Sequence, residues 1–295
     1  MSRKARTGRA LAVVTTLPAL AVLAASCGSG ATSGAASAAG TPGSATAPAP
    51  AIETATATAT STVGNIPPAA PAAALAGRTI TIDPGHNGGN FTHAQAIARL
   101  VPDGNGEKEC DTTGTAAPDG YRETDFNWSV ALALRALLRT AGARIVMTRT
   151  TNAGVGPCVN ERAAIGNSAH SDAAISIHAD GGPPGGSGFA VLLPAQLPSG
   201  RDTAIIAPSR RLGKDMRSQL LAIGLHTSTY DGRDGIAPRT DLGGLNLSTV
   251  PKVFVEVANM QNRADEAPME RAAYRERVAR ALASALERFL PASGG

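Results

Sequence analysis

Apolar positions recur at helical spacing in two long windows. Phe126, Val130, Leu134, Leu137 and Leu138 lay an apolar stripe along a helix over residues 123–141, which Gly142 stops. Ile206, Leu212, Met216, Leu220 and Ile223 do the same over 202–225, and a last helix is predicted over 265–289. Short apolar or β-branched runs stand between them and predict strands over 79–82, 144–148, 173–177, 189–193 and 252–257. Shorter helices are expected near 92–100 and over 159–169, the first inside a loop rich in Gly, Asn, Asp and Pro that runs from 87 to 121. Strands alternate with helices, and several strands are apolar at every position. That pattern predicts a single α/β domain with a largely parallel, twisted sheet flanked by helices on both faces.

Upstream the pattern disappears. Of the 50 residues from Gly28 to Gly77, 44 are Ala, Gly, Ser, Thr or Pro, too few large side chains to repay the entropy of ordering. Residues 28–77 therefore read as a disordered linker and 78–291 as the folded domain. Residues 1–27 begin with Arg3, Lys4, Arg6 and Arg9, continue through an apolar stretch and end in small residues, the layout of a signal peptide. The end of that stretch, Leu23-Ala24-Ala25-Ser26-Cys27, looks like a lipobox in which Cys27 is lipidated, with Ala24 where a larger aliphatic residue is usual. Lipidation would tether the chain to a membrane; simple secretion is the alternative.

The net charge of +4 changes little in the domain, because four basic residues and one acid, Glu53, precede Arg78. A nearly neutral domain gives no electrostatic case for nucleic acid. The chain is expected to work as a monomer in the cell envelope or secreted. Cys110 and Cys158 are then an even pair in an oxidising compartment, and a disulfide is the default reading, with two buried thiols as the alternative.

Three residues with metal-ligand chemistry stand at element ends. His86 follows the first predicted strand, His178 closes a later one, and Glu123 starts the first long helix. In a parallel sheet, ligands collect at the carboxyl ends of strands. Two imidazoles and a carboxylate there make a three-ligand zinc site with one open position. Each residue alone also has a plain structural explanation: a turn, a strand end, a helix start. Glu256 shifts the balance, because it lies inside the apolar strand Val253-Phe254-Val255-Glu256-Val257, where burial raises a carboxyl pKa and suits it to proton transfer. Asp83 is a candidate for orienting a ligating imidazole. His93, His170 and His226 read as surface or loop residues, with His93 near enough to the candidate site to watch.

Four segments in order, Ile82-Asp83-Pro84-Gly85-His86-Asn87-Gly88-Gly89, Glu123 before its helix, Ser176-Ile177-His178-Ala179-Asp180 and Val255-Glu256-Val257-Ala258-Asn259, resemble the zinc-dependent N-acetylmuramoyl-L-alanine amidases of the type 3 family. The likeness covers about residues 78–290 and is strongest to single-domain members from mycobacteria and related actinobacteria. It implies zinc held by His86, Glu123 and His178, catalysis by Glu256, and hydrolysis of the bond between N-acetylmuramic acid and L-alanine in peptidoglycan or muropeptides. It also implies a cysteine pair matching Cys110 and Cys158. The sequence departs from the family in a longer span between His86 and Glu123, in Asp180 where Asn is common, and in Leu245-Asn246 where Leu-Arg is frequent. Arg149, Arg162 and Arg239 are candidate contacts for the acidic stem peptide, beside their ordinary reading as paired or solvated cations. A zinc peptidase cutting within the stem peptide and a non-catalytic wall-binding module are the competing functions.

Overall fold

The first strand runs from Thr79 to Pro84, two residues beyond its predicted end, in the computed structural model, which describes residues 73–290. The signal peptide, Cys27 and most of the linker lie outside the described residues. The elements in chain order are β1 (Thr79–Pro84), a short 3₁₀ turn (Asn90–Thr92), α1 (Ala94–Ile97), β2 (Leu100–Pro102), β3 (Glu107–Glu109) and α2 (Glu123–Thr140). They continue with β4 (Arg144–Met147), α3 (Val159–Ser168), β5 (Ala173–Asp180), β6 (Ala190–Pro194) and α4 (Thr203–Ala222). The last are β7 (Ile236–Arg239), α5 (Gly243–Asn246), β8 (Lys252–Asn259), α6 (Arg263–Glu266) and α7 (Ala272–Phe289).

Six strands form one sheet in the order β4-β1-β5-β8-β6-β7, and β2 and β3 form a separate antiparallel pair. Every neighbour in the six-stranded sheet is parallel except β6 against β8. The predicted class therefore holds. Alternation along each strand gives the sheet two chemically different faces. Ile80 and Ile82, Ile175 and Ile177, Val253 and Val255, and Val191 and Leu193 join one apolar core with the buried stripes of α2, α4 and α7. The opposite face carries Thr81, Asp83, Ser176, His178, Phe254 and Glu256. Its pairings set Asp83 beside Ser176, Ser176 beside Phe254, and His178 beside Glu256. On this side α3 packs on β1 and α5 on β6 and β8.

Local differences from the sequence reading have local causes. Residues 73–77 belong to the fold rather than the linker: Leu75 is fully buried in the core, and its N–H donates to the Ala141 carbonyl at 2.8 Å. Gly142, at φ +91°, ends α2 as predicted, in a left-handed conformation that suits glycine. The predicted last helix is two, because Pro268 cannot donate to the helical ladder between α6 and α7.

Candidate metal centre

The turn after β1 places His86. Gly85 is required there by close approach, since a Cβ at that position would lie 2.0 Å from the His178 ring. His86 itself adopts φ +55°, which few non-glycine residues do. Its Nδ1 faces two acceptors, Asp111 Oδ1 and the Thr112 carbonyl, each at 3.1 Å. Nδ1 therefore keeps its proton in either charge state, and Nε2, which faces inward, is the nitrogen that can give up its own to bind a cation. Nε2 lies 3.3 Å from Glu123 Oε1, and His178 Nδ1 lies 2.8 Å from the same oxygen. Ligand atoms of His86, Glu123 and His178 all fall within 4.8 Å of one another. Phe254 stacks on the His178 ring at 3.8 Å and fixes its plane.

Glu123 is held as firmly. Its Oε1 also accepts from Asn127 Nδ2 at 3.1 Å and the Ala179 N–H at 3.3 Å, and its Oε2 accepts from the Thr115 N–H at 2.9 Å. Burial would raise its pKa, but His86 and His178 overcome that and hold it well below the carboxylate range. Burial would lower His86; Glu123 and Asp111 prevail and push it up to about 10. Burial wins at His178, which is lowered. Two imidazole nitrogens converging on a carboxylate oxygen are the donor set of a divalent transition-metal site, and they fit such an ion.

Glu256 completes the cleft. It is the register partner of His178, and both side chains leave the same face of the sheet. Its Oε2 is buried without a hydrogen-bond partner. Burial, then the Glu123 and Asp180 carboxylates, raise its pKa well above the usual value. The cleft holds about 310 Å³ and is lined by His86, Glu123, His178, Glu256, Asp180 and Lys108, among others. That volume admits a segment of a larger substrate.

The remaining sequence candidates sort differently. Asp83 is corrected as an imidazole partner. Its carboxylate accepts from Thr148 Oγ1 at 2.7 Å, Arg162 Nη1 at 2.9 Å, Ser176 Oγ at 3.0 Å and Lys252 Nζ at 3.1 Å. Burial raises its pKa, but Lys252 and Arg162 outweigh that and keep it ionised. The carboxylate that meets His86 is Asp111, which the sequence reading missed; its one signal was its place directly after Cys110. Arg149 and Arg162 are also corrected as substrate contacts: each is only 4% exposed and turned toward backbone carbonyls. Arg239 pairs with Asp241 at 2.6 Å and Asp231 at 3.6 Å. Asn246 is buried and donates to the Thr240 carbonyl. Asp180 accepts from the Tyr230 hydroxyl at 2.8 Å. His93, His170 and His226 are exposed.

Cys110 and Cys158 are joined as a disulfide. It closes a separation of 48 residues, and in the chain-entropy model such a loop stabilises the fold by about 4 kcal/mol. Cys158 is also the N-cap of α3, so the bridge ties the start of that helix to the loop that presents Asp111. An oxidised cysteine pair fits an extracytoplasmic location.

Comparison with known proteins agrees with this geometry. The type 3 amidase family model, described as N-acetylmuramoyl-L-alanine amidase, matches residues 80–288. The N-acetylmuramoyl-L-alanine amidase Rv3717 of Mycobacterium tuberculosis is 41% identical over 227 residues, which is 77% of this chain and 92% of that protein. The crystal structure of the amidase Ami1 from Mycobacterium smegmatis superposes with a TM-score of 0.69 at 44% identity, over 74% of this chain and 98% of that one. Ami1 from Mycobacterium abscessus gives 0.67 at 42%, over 73% and 100%.

Proposed function

The chain belongs to the N-acetylmuramoyl-L-alanine amidase family and hydrolyses peptidoglycan, and from that premise we propose that it works as a zinc enzyme, with His86, Glu123 and His178 as ligands and Glu256 as the proton-transfer group. One observation carries the reading: three potential ligands meet beside a carboxyl whose Oε2 is buried without a hydrogen-bond partner. When bound, zinc supplies Lewis acidity, which brings a water pKa down to about 7 and polarises the scissile carbonyl.

The protein's own groups do the rest. Glu256 accepts the proton of the attacking water at its unpartnered Oε2; its raised pKa makes it the stronger base for that task. It then delivers the proton to the nitrogen of L-alanine as the amide to the lactyl carbonyl breaks. One carboxyl thus serves first as base and then as acid. Asp111 keeps His86 in the tautomer that presents Nε2.

Mass spectrometry of products from defined muropeptides, with and without chelator, tests the reading. The expected products are a peptide with a free L-alanine amino terminus and intact muramic acid, lost with chelator and restored by zinc. A cut within the stem peptide would instead establish the peptidase alternative.

The composition of residues 1–27 supports export, and that of residues 28–72 a linker leading to the catalytic domain that begins at residue 73. Cys27 is proposed as the lipidated mature N-terminus. The mass of the mature protein checks this: a diacylglyceryl increment on Cys27 is expected, and an unmodified terminus would leave simple secretion.

A further inference from the structure

We propose that Arg149 and Arg162 are positioning residues for His86, clamping the carbonyls of the turn that carries it and so presetting the metal site; this rests on His86 being a ligand. A left-handed conformation at a residue with a Cβ persists only when its surroundings over-determine it. The surroundings here include two guanidinium groups, beside Asn127 Nδ2, which also donates to the Gly85 carbonyl at 3.3 Å. Arg149 donates from Nε to the Pro84 carbonyl at 2.9 Å and from Nη2 to the Gly85 carbonyl at 3.4 Å. Arg162 donates from Nη1 to the Pro84 carbonyl at 2.8 Å and from Nη2 to the His86 carbonyl at 3.0 Å. All three consecutive carbonyls are gripped.

Each arginine also reaches a second part of the site. Arg149 Nη2 is 3.5 Å from the carbonyl of Thr124, in the first turn of the helix that presents Glu123. Arg162 Nη2 is 3.4 Å from Asp111 Oδ2, while Oδ1 of the same carboxylate holds the His86 ring. His86 is thus fixed through its backbone and its imidazole at once. Arg149 makes the stronger case for a dedicated role. Its bonds go to the Pro84, Gly85, Thr124 and Thr151 carbonyls and to the Asn152 amide oxygen, so a buried cation is held by neutral oxygens. A buried cation without a hydrogen-bonded carboxylate is costly, and an apolar side chain would fill the space more cheaply. What an apolar residue, or a lysine with its single ammonium, lacks is the planar fork that spans adjacent carbonyls.

Arg149→Lys and Arg162→Lys keep the charge and lose the fork. Zinc affinity by chelator competition and the absorption spectrum of the cobalt-substituted protein are read beside two controls. Leu282→Ala removes a core side chain of α7 away from the turn; His86→Ala removes the ligand. Both lysine variants are expected to bind zinc at least about tenfold more weakly and to shift the cobalt spectrum, while Leu282→Ala lowers the melting temperature and leaves affinity within about twofold. Folded lysine variants with unchanged affinity and spectrum overturn the proposal, as does equal weakening in Leu282→Ala. Should a lysine variant not fold, Asn152→Ala strips one acceptor from Arg149; about threefold weaker zinc binding supports the clamp and unchanged affinity overturns it. If the wild type binds no zinc, or His86→Ala binds it as tightly, the ligand assignment falls and the clamp with it.

Discussion

Glu256→Gln is expected to bind zinc as tightly as the wild type, to keep its fold and to lose about 10²- to 10⁴-fold in kcat on a muropeptide substrate, if the proposed roles hold. The substitution preserves shape, and the carboxylate it removes makes no ligand contact among the three converging groups. Oε2 has no hydrogen bond to lose, so the folded protein is scarcely disturbed. What disappears is a carboxyl held above its usual pKa by burial and by the Glu123 and Asp180 carboxylates, the proposed base. Metal content by atomic emission and turnover on the same sample separate the two effects. Wild-type turnover in the variant would remove Glu256 from the mechanism.

His86→Ala, His178→Ala and Glu123→Ala should lose metal and activity together. Losing the Lewis acid withdraws several kcal/mol of transition-state stabilisation, and about 4 kcal/mol already corresponds to roughly a 10³-fold slower reaction. Glu123→Ala should also cost the most stability of the three. Its carboxylate lies against both imidazole nitrogens and accepts from the Asn127 amide and two backbone N–H groups, all at buried or nearly buried positions. Removing it leaves those donors without their acceptor. Full zinc stoichiometry in any one alanine variant would exclude that residue from the ligand set.

Much of this site could be read from the chain because its parts sit at ends of strongly patterned elements. His178 and Glu256 lie in strands whose apolar runs announce them, and Glu123 opens a helix with a clear stripe. The strands hid something too. β5 is buried along nearly its whole length, so the alternation that sends Ile175 and Ile177 to the core and Ser176 and His178 to the site is masked by burial on both faces. Asp83 and Asp111 show the other limit. Both are acids near His86, but Asp111 comes from a loop with no period, and only tertiary packing decides which one meets the imidazole. The strands β2 and β3 are three residues each within that loop. β7 carries Pro238, which demotes a strand in sequence yet is tolerated at the edge of the sheet, where β7 lies. The antiparallel placement of β6 left no trace in its own residues.

The covalent link between Cys110 and Cys158 gives the enzyme a built-in sense of place. Thiols stay reduced in the cytoplasm, so a newly made chain there steadies Asp111 by noncovalent contacts alone. Such a cross-link forms and persists in an oxidising compartment, in keeping with an extracytoplasmic place of work. The brace behind His86 is complete only where thiols can be oxidised.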